Sequence, residues 1–209
     1  MKELDLLKKD WQKSDNFKQL SENDIYAMLQ KKSTSIVRSL LIISILEFFL
    51  WIFINIFYEN DDFLLDKKLD TFETVINYLE YFGFFVILIF IYLLYHKYKK
   101  ISVTASVKQL MIAILNTKKI VQYYVWYNLI FLVISIFIGT YFAIIVNPDS
   151  TYIVDKMQGD AKFLIAGILI LMVFTVVILG VFWLFYKLLY GILLKRLYAN
   201  YKELKKIDI

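Results

Sequence analysis

Four long apolar runs constrain this chain more than any other feature of its sequence. A helix needs about 20 apolar residues to cross the hydrocarbon core of a bilayer. The candidate spans are residues 36–58, 75–95, 120–146 and 163–186. The chain is 60% hydrophobic and still 21% charged, because its charged residues are concentrated between these runs. The sequence therefore predicts an all-α fold, an integral membrane four-helix bundle with cytoplasmic amphipathic helices.

The basic residues predict how the spans are oriented. Of the 24 Lys and Arg residues, 20 lie before span one, between spans two and three, or after span four. The other two connections hold four, and the first of these connections is acidic. Since Lys and Arg favour the cytoplasmic side, we expect both termini in the cytoplasm. We expect a multi-pass protein of the bacterial inner membrane, and its net charge of +5 calls for no nucleic acid.

The predicted organisation has three parts. Residues 1–35 form cytoplasmic N-terminal helices, 36–195 the four-span domain and 196–209 a cytoplasmic helical tail. Ser21 and Asp24 have the spacing of a capping box, so a helix is expected to begin there. Between spans two and three, apolar residues at helical spacing predict an amphipathic helix over about 103–116, on the membrane surface or against the bundle.

An apolar stripe continues beyond the fourth span into the tail. It contains too many apolar side chains to leave in water. We expect it to pack on the 103–116 helix, on the N-terminal helices or on a second copy of the chain, and the alternative is that it lies on the membrane. The helix that carries it either breaks near Gly191 or projects inward. The residues of this predicted partner or membrane surface are Val107, Leu110, Met111, Ile114, Leu193, Leu197, Tyr198 and Tyr201.

A polar stripe interrupts the spans. Ser44, Glu47 and Asn55 are spaced so that they share one face of span one, and we expect this face to look into the bundle. Such residues mark either helix–helix contact or a path for a ligand or an ion, and both readings remain open. The predicted intramembrane polar site comprises Ser44, Glu47, Asn55, Asn128, Ser135 and Thr175.

Glu47 is the most informative member of the stripe. It lies half-way along span one, so we expect it near the bilayer midplane, protonated because an apolar environment disfavours the charged form. The expected partners are hydroxyl or amide groups on other spans. The candidates are Tyr127, Asn128 and Ser135 on span three and Thr175 on span four.

The chain lacks the residues that most catalytic and metal sites need. The chain has no cysteine and one histidine, His96, which we expect at the membrane interface. Cysteine metal sites and multi-histidine iron sites are thereby excluded. The sequence contains no G-x-S-x-G, H-E-x-x-H or Walker motif. We therefore predict no catalytic residue, metal or cofactor and favour a non-enzymatic protein.

Three short segments carry a resemblance. "LLKKDW" at the start, "KKSTSIV" before span one and "TKKIVQYYVWYN" leading into span three resemble a set of small, uncharacterised bacterial four-span membrane proteins. The resemblance implies the fold and no reaction. Such proteins can carry a carotene-monooxygenase label, which we reject because that chemistry requires several histidine iron ligands.

The leading functional prediction is a scaffold or a signalling and regulatory protein. Extensive amphipathic helix on the cytoplasmic side, beside short outer loops, favours binding of a cytoplasmic protein, a second copy or the membrane surface. A small transporter or proton-linked channel that uses Glu47 is the alternative. A lipid-active membrane enzyme comes third.

Overall fold

A computed structural model describes residues 21–58, 70–104, 106–145 and 150–207, and the elements it describes are all helices. They are α1 Glu22–Tyr58, α2 Asp70–Val103, α3 Val107–Ile145, α4 Thr151–Gly159, α5 Ala161–Tyr186, a π-helical turn Lys187–Gly191 and α6 Ile192–Ile207. Helices α1, α2, α3 and the continuous α5–α6 are each long and apolar enough to cross a membrane. The prediction of an all-helical chain with four candidate spans is confirmed. The helix expected before Ser21 lies outside the described residues.

Helix α1 begins with the capping box that the sequence predicts. The Ser21 hydroxyl accepts a hydrogen bond from the Asp24 N–H, and the Asp24 carboxylate accepts one from the Ser21 N–H, both at 3.2 Å. These bonds satisfy backbone donors that a helix start otherwise leaves unpaired. From there α1 continues through residue 35 to Tyr58 without a break, so span one and the helix before it are one element.

Helix α3 likewise unites two segments that the sequence suggested were separate. Residues 107–116 of the expected amphipathic helix are the first part of α3, coaxial with span three, whereas Val103 ends α2. No glycine or proline occurs between residues 107 and 138 to end the helix. The amphipathic segment packs within the bundle, where Leu110 and Ile114 are buried.

The helices alternate in direction and close into a bundle at one end. We call this the basic end, because it contains the start of α1, the α2–α3 connection and α6, where most of the described Lys residues lie. There α1 packs on α2 and α6, and α3 packs on α2 and α6. Towards the opposite end α5 packs on α3 and on the short α4 rather than closing against α1. The bundle is consequently closed at its base and more open above it.

Buried apolar side chains from all four helices form the core of the basic end, here called the basal core. Leu197 and Leu204 of α6 are buried with side chains of α1, α2 and α3. The basal core comprises Leu29, Ile36, Val37, Ile101, Leu110, Ala113, Ile114, Leu197 and Leu204. The C-terminal stripe thus packs within the molecule, on both α1 and the start of α3. One buried polar contact crosses this core, where the Asn200 amide donates to the Ser33 hydroxyl at 3.1 Å.

Helix α1 also caps the end of α2. The last carbonyls of a helix have no partner within it. Here the Gln30 amide donates to the carbonyls of Ile101 and Thr104, at 3.1 and 2.7 Å. The Tyr26 hydroxyl donates to the same Thr104 carbonyl at 2.6 Å. Burial raises the pKa of the Tyr26 phenol, so it stays protonated and able to donate. These bonds fix the base of α1 against the α2–α3 connection.

The fourth span does not break at Gly191. Its helix widens by one residue in the π-helical turn and then continues as α6. Tyr186, the residue before this turn, and Tyr190, within it, are both buried.

Helix α5 exposes nearly all of its apolar surface. Only Thr175 and Tyr186 of this helix are buried. The large side chains that face outwards include Ile170, Val173 and Val177. An apolar helix surface of this extent is the kind that lipid covers, since lipid tails are as apolar as these side chains.

Candidate functional site

Glu47 lies inside the bundle, as the polar stripe predicts, with 5% of its surface exposed. The Tyr186 hydroxyl donates to one oxygen of its carboxyl group at 3.0 Å. The Tyr190 hydroxyl donates to the other oxygen at 2.6 Å. In the part of the chain that the structure describes, no Lys or Arg acts on this carboxyl. Phenol donors, rather than a cation, hold Glu47.

The partners of Glu47 are hydroxyl groups on another helix, as expected, but they belong to none of the four candidate residues. Tyr127, Asn128 and Ser135 line a neighbouring cavity, and the Thr175 hydroxyl donates to the Leu171 carbonyl of its own helix at 2.8 Å. The error came from relative depth, because the length of an apolar run does not fix how far each helix is shifted along its neighbours.

The same contacts relate Glu47 to the neighbouring spans. It lies beside Tyr186, at the end of span four, and Tyr124, four residues into span three. Along α3, Tyr124 is about 8 Å from Lys119 and about 31 Å from Ile145, at 1.5 Å per residue. Glu47 is therefore half-way along span one but close to the basic end of spans three and four.

Aromatic rings enclose this carboxyl. The Tyr124 ring stacks on Phe90 with centroids 3.7 Å apart, and Tyr190 meets both rings edge-on at 6.2 Å. The Tyr124 hydroxyl also faces Glu47, but it is buried without a hydrogen bond of ordinary geometry. We call Glu47, Phe90, Tyr124, Tyr186 and Tyr190 the Glu47 cage. It joins α1, α2, α3, the end of α5 and the π-helical turn.

The cage can hold the carboxyl group in either protonation state. An ionised carboxylate accepts bonds from the two tyrosine hydroxyls, as their present geometry allows. A protonated carboxyl has one hydrogen to donate. The Tyr124 hydroxyl oxygen, which has no hydrogen-bond partner, can accept that hydrogen. The cage therefore offers hydrogen-bond partners to both protonation states of the carboxyl group.

A cavity of about 440 Å³ lies next to the cage, on the side away from the basic end. It is enclosed by α1, α2, α3 and α5, and Tyr186 both lines it and bonds to Glu47. Most of its wall is aromatic or aliphatic. Its polar side chains are Asn55, Glu80, Tyr127, Asn128, Ser135 and Tyr186. An apolar cavity with a few polar groups is the usual form of a small-molecule site.

A second acidic residue lies in the cavity wall. The Asn55 amide of α1 donates to the Glu80 carboxylate of α2 at 2.6 Å. The sequence contained a signal for this pair, because Glu80 interrupts span two as Glu47 interrupts span one. The predicted polar site included Asn55 of span one but no residue of span two, so this pair was not predicted.

Residues 23–209 match the model of a domain of unknown function, DUF8845. The chain belongs to the DUF8845 family. No curated protein and no solved structure matches it. The DUF8845 match covers the basal core, the Glu47 cage and the cavity alike.

In this DUF8845 chain the predicted polar site divides into three environments. Glu47 lies in the cage, whereas Asn55, Asn128 and Ser135 surround the cavity. The buried Ser44 hydroxyl donates to the Leu41 carbonyl at 2.8 Å, a bond within its own helix like that of Thr175. The structure thus places four of the six residues in the Glu47 cage or in the wall of the adjacent cavity.

The predicted partner surface is mostly internal. Leu110, Ile114 and Leu197 belong to the basal core. Val107, Met111, Leu193 and Tyr201 pack against that core. Tyr198 stacks on Tyr201 and carries the Lys118 ammonium 4.1 Å from its ring centre. The apolar faces of α3 and α6 bury each other, so the face left for a partner is the charged one.

Tyr186 and Tyr190 are the site residues that sequence reasoning did not assign. Their spacing of four puts them on one helix face, and this was the available signal. Within the described residues, no group of three or more His, Asp or Glu is placed to hold a metal ion. His96 is exposed near the end of α2.

Proposed function

We propose that this protein is a non-enzymatic regulatory or scaffold protein of the bacterial inner membrane that binds a cytoplasmic protein through its basic end. The supporting observation is the continuity of its helices, since all four spans extend into one basal core. The outer faces of these extensions carry exposed cations, including Lys99, Lys108 and Lys202. A rigid charged base of this kind suits an acidic partner.

The Glu47 cage supports a regulatory form of this function. It lies where the closed base meets the more open membrane half. Its bonds come from Tyr186 at the end of α5 and from Tyr190 in the π-helical turn that leads into α6. A change in those bonds alters how α6 is held against the bundle. The charged surface at the base then changes as well. The membrane half and the partner surface are thereby coupled through one carboxyl group.

Photo-crosslinking in native membranes tests this proposal. A photoreactive residue replaces Lys99, Lys108 or Lys202 at the base, and Ile170 or Val173 on the exposed face of α5 serves as the control. We expect the same protein adduct from the three basal positions and none from α5. Adducts with lipid alone, or no adduct at the base, contradict the proposal.

Proton-linked transport is the second candidate, favoured by the contact of Tyr186 with both the cavity and Glu47. Purified protein in liposomes that contain a pH-sensitive dye tests it. Proton flux that Glu47→Gln abolishes would support transport. Equal flux from both proteins, or none from either, would exclude this role for Glu47.

A further inference from the structure

We propose that the cavity binds a single-chain amphiphile with a primary ammonium head, which bonds to Glu80 and Asn55 while its chain extends towards Tyr186. The inference concerns the cavity and not the basic end, so it does not depend on the proposed function.

The shape of the cavity fits a linear apolar molecule. Its lining on α2 extends from Ile76 to Ile87, a rise of about 16 Å along the helix. Phe84, Phe131 and Leu132 form much of the wall between these levels. The volume of about 440 Å³ lies within the range of small-molecule sites.

The polar groups at one end select the head. The Asn55 amide donates one hydrogen bond to Glu80, and the Asn55 carbonyl oxygen and the remaining lone pairs of the Glu80 carboxylate can accept hydrogen bonds from a ligand. Among the described lining residues there is no Lys or Arg. A carboxylate in an apolar wall is stabilised by a charged donor. A primary ammonium brings three N–H donors and a positive charge.

The sequence that precedes and opens α2, residues 59–73, holds six acidic residues and two lysines. A net negative charge on this connection favours the approach of a cation over that of a fatty acid or a phosphate.

Quenching of Trp51, which lines the cavity, tests the proposal. The protein carries Trp11→Phe, Trp126→Phe and Trp183→Phe, so that Trp51 alone emits, and is placed in phosphatidylcholine nanodiscs. The probes are an 18-carbon primary amine, alcohol and carboxylic acid, each brominated on the chain. We expect saturable quenching by the amine at a concentration about tenfold or more below that of the alcohol, and none that saturates with the acid.

Four variants separate the site from general attraction. Glu80→Gln is expected to remove the preference for the amine, whereas Asp155→Asn, which removes a charge from an exposed position on α4, is expected to retain it. Gly83→Leu directs a side chain into the cavity and should abolish saturable quenching. Gly83→Ala should leave it intact, because the added carbon meets the Phe131 ring at an ordinary 3.8 Å. Equal binding of amine and alcohol overturns the proposal, as does amine binding that survives Glu80→Gln or Gly83→Leu.

A bilayer lipid and a free amine share this head chemistry. Nanodiscs that also contain phosphatidylethanolamine distinguish them. Undiminished amine binding supports a free single-chain amine. Competition by the lipid, which has two chains and a phosphate, contradicts the proposed single-chain occupant.

Discussion

At the scale of single residues, Glu47 shows what a carboxyl group can do inside an apolar bundle. Two tyrosine hydroxyls satisfy its oxygens, and the sequence places no basic residue on its face of α1. The inward direction of Glu47 was predictable, because Ser44, Glu47 and Asn55 follow helical spacing. Its partners were not, because they depend on the offset between α1 and α5, which side-chain packing decides.

Two substitutions at Glu47 separate hydrogen bonding from titration. Glu47→Gln retains an oxygen that accepts from a tyrosine, so we expect thermal stability in detergent close to that of the wild type. Glu47→Leu leaves the Tyr186 and Tyr190 hydroxyls buried without their acceptor, at about 1–3 kcal/mol for each unpaired group. The measurement is the unfolding temperature of the purified protein.

Glu203→Leu is the matched control, because Glu203 is exposed on α6 and should tolerate the change. If Glu47→Leu unfolds at the wild-type temperature, the cage does not stabilise the bundle.

At the scale of elements, the main result is that spans and flanking helices are continuous. The sequence identified the apolar faces of 103–116 and of the C-terminal stripe. It did not show that each apolar face belongs to the same continuous helix as the neighbouring span. Periodicity reports which side of a helix is apolar, whereas continuity depends on the absence of a stop, and the π-helical turn at Gly191 is a widening rather than a stop.

The buried side of α6 is expected to be essential for the fold. Leu197→Ala removes a fully buried side chain from the basal core, and we expect a loss of about 2–5 kcal/mol. Leu188→Ala, at a position that is 65% exposed in the π-helical turn, should change stability little. Thermal unfolding of both variants checks the difference, and equal effects would mean that α6 does not pack as described.

At the scale of the whole molecule, composition was sufficient to predict an all-helical chain with four candidate spans. The more open half of the bundle was not predictable in the same way. It results from α5 packing on α3 rather than on α1. A sequence shows that a side chain such as Ile170 is apolar, but not which helix it packs against.

Orientation can be tested with introduced cysteines, since the chain has none of its own. Val103 is 74% exposed at the basic end, and Tyr152 is 69% exposed on α4 at the other. We expect an impermeant maleimide added to intact cells to label Tyr152→Cys and not Val103→Cys. Labelling of Val103→Cys from outside would contradict the orientation that the basic residues predict.

The π-helical turn fixes the rotational phase between the two halves of the fourth helix. A π-helical turn contains one residue more than an α-helical turn. If the same residues were wound as regular α-helix, the extra residue would rotate everything beyond it by about 100°. Leu197 and Asn200 would then leave the basal core, although no residue of that core had changed. The conformation of this short segment is therefore under as strict a constraint as the side chains it positions.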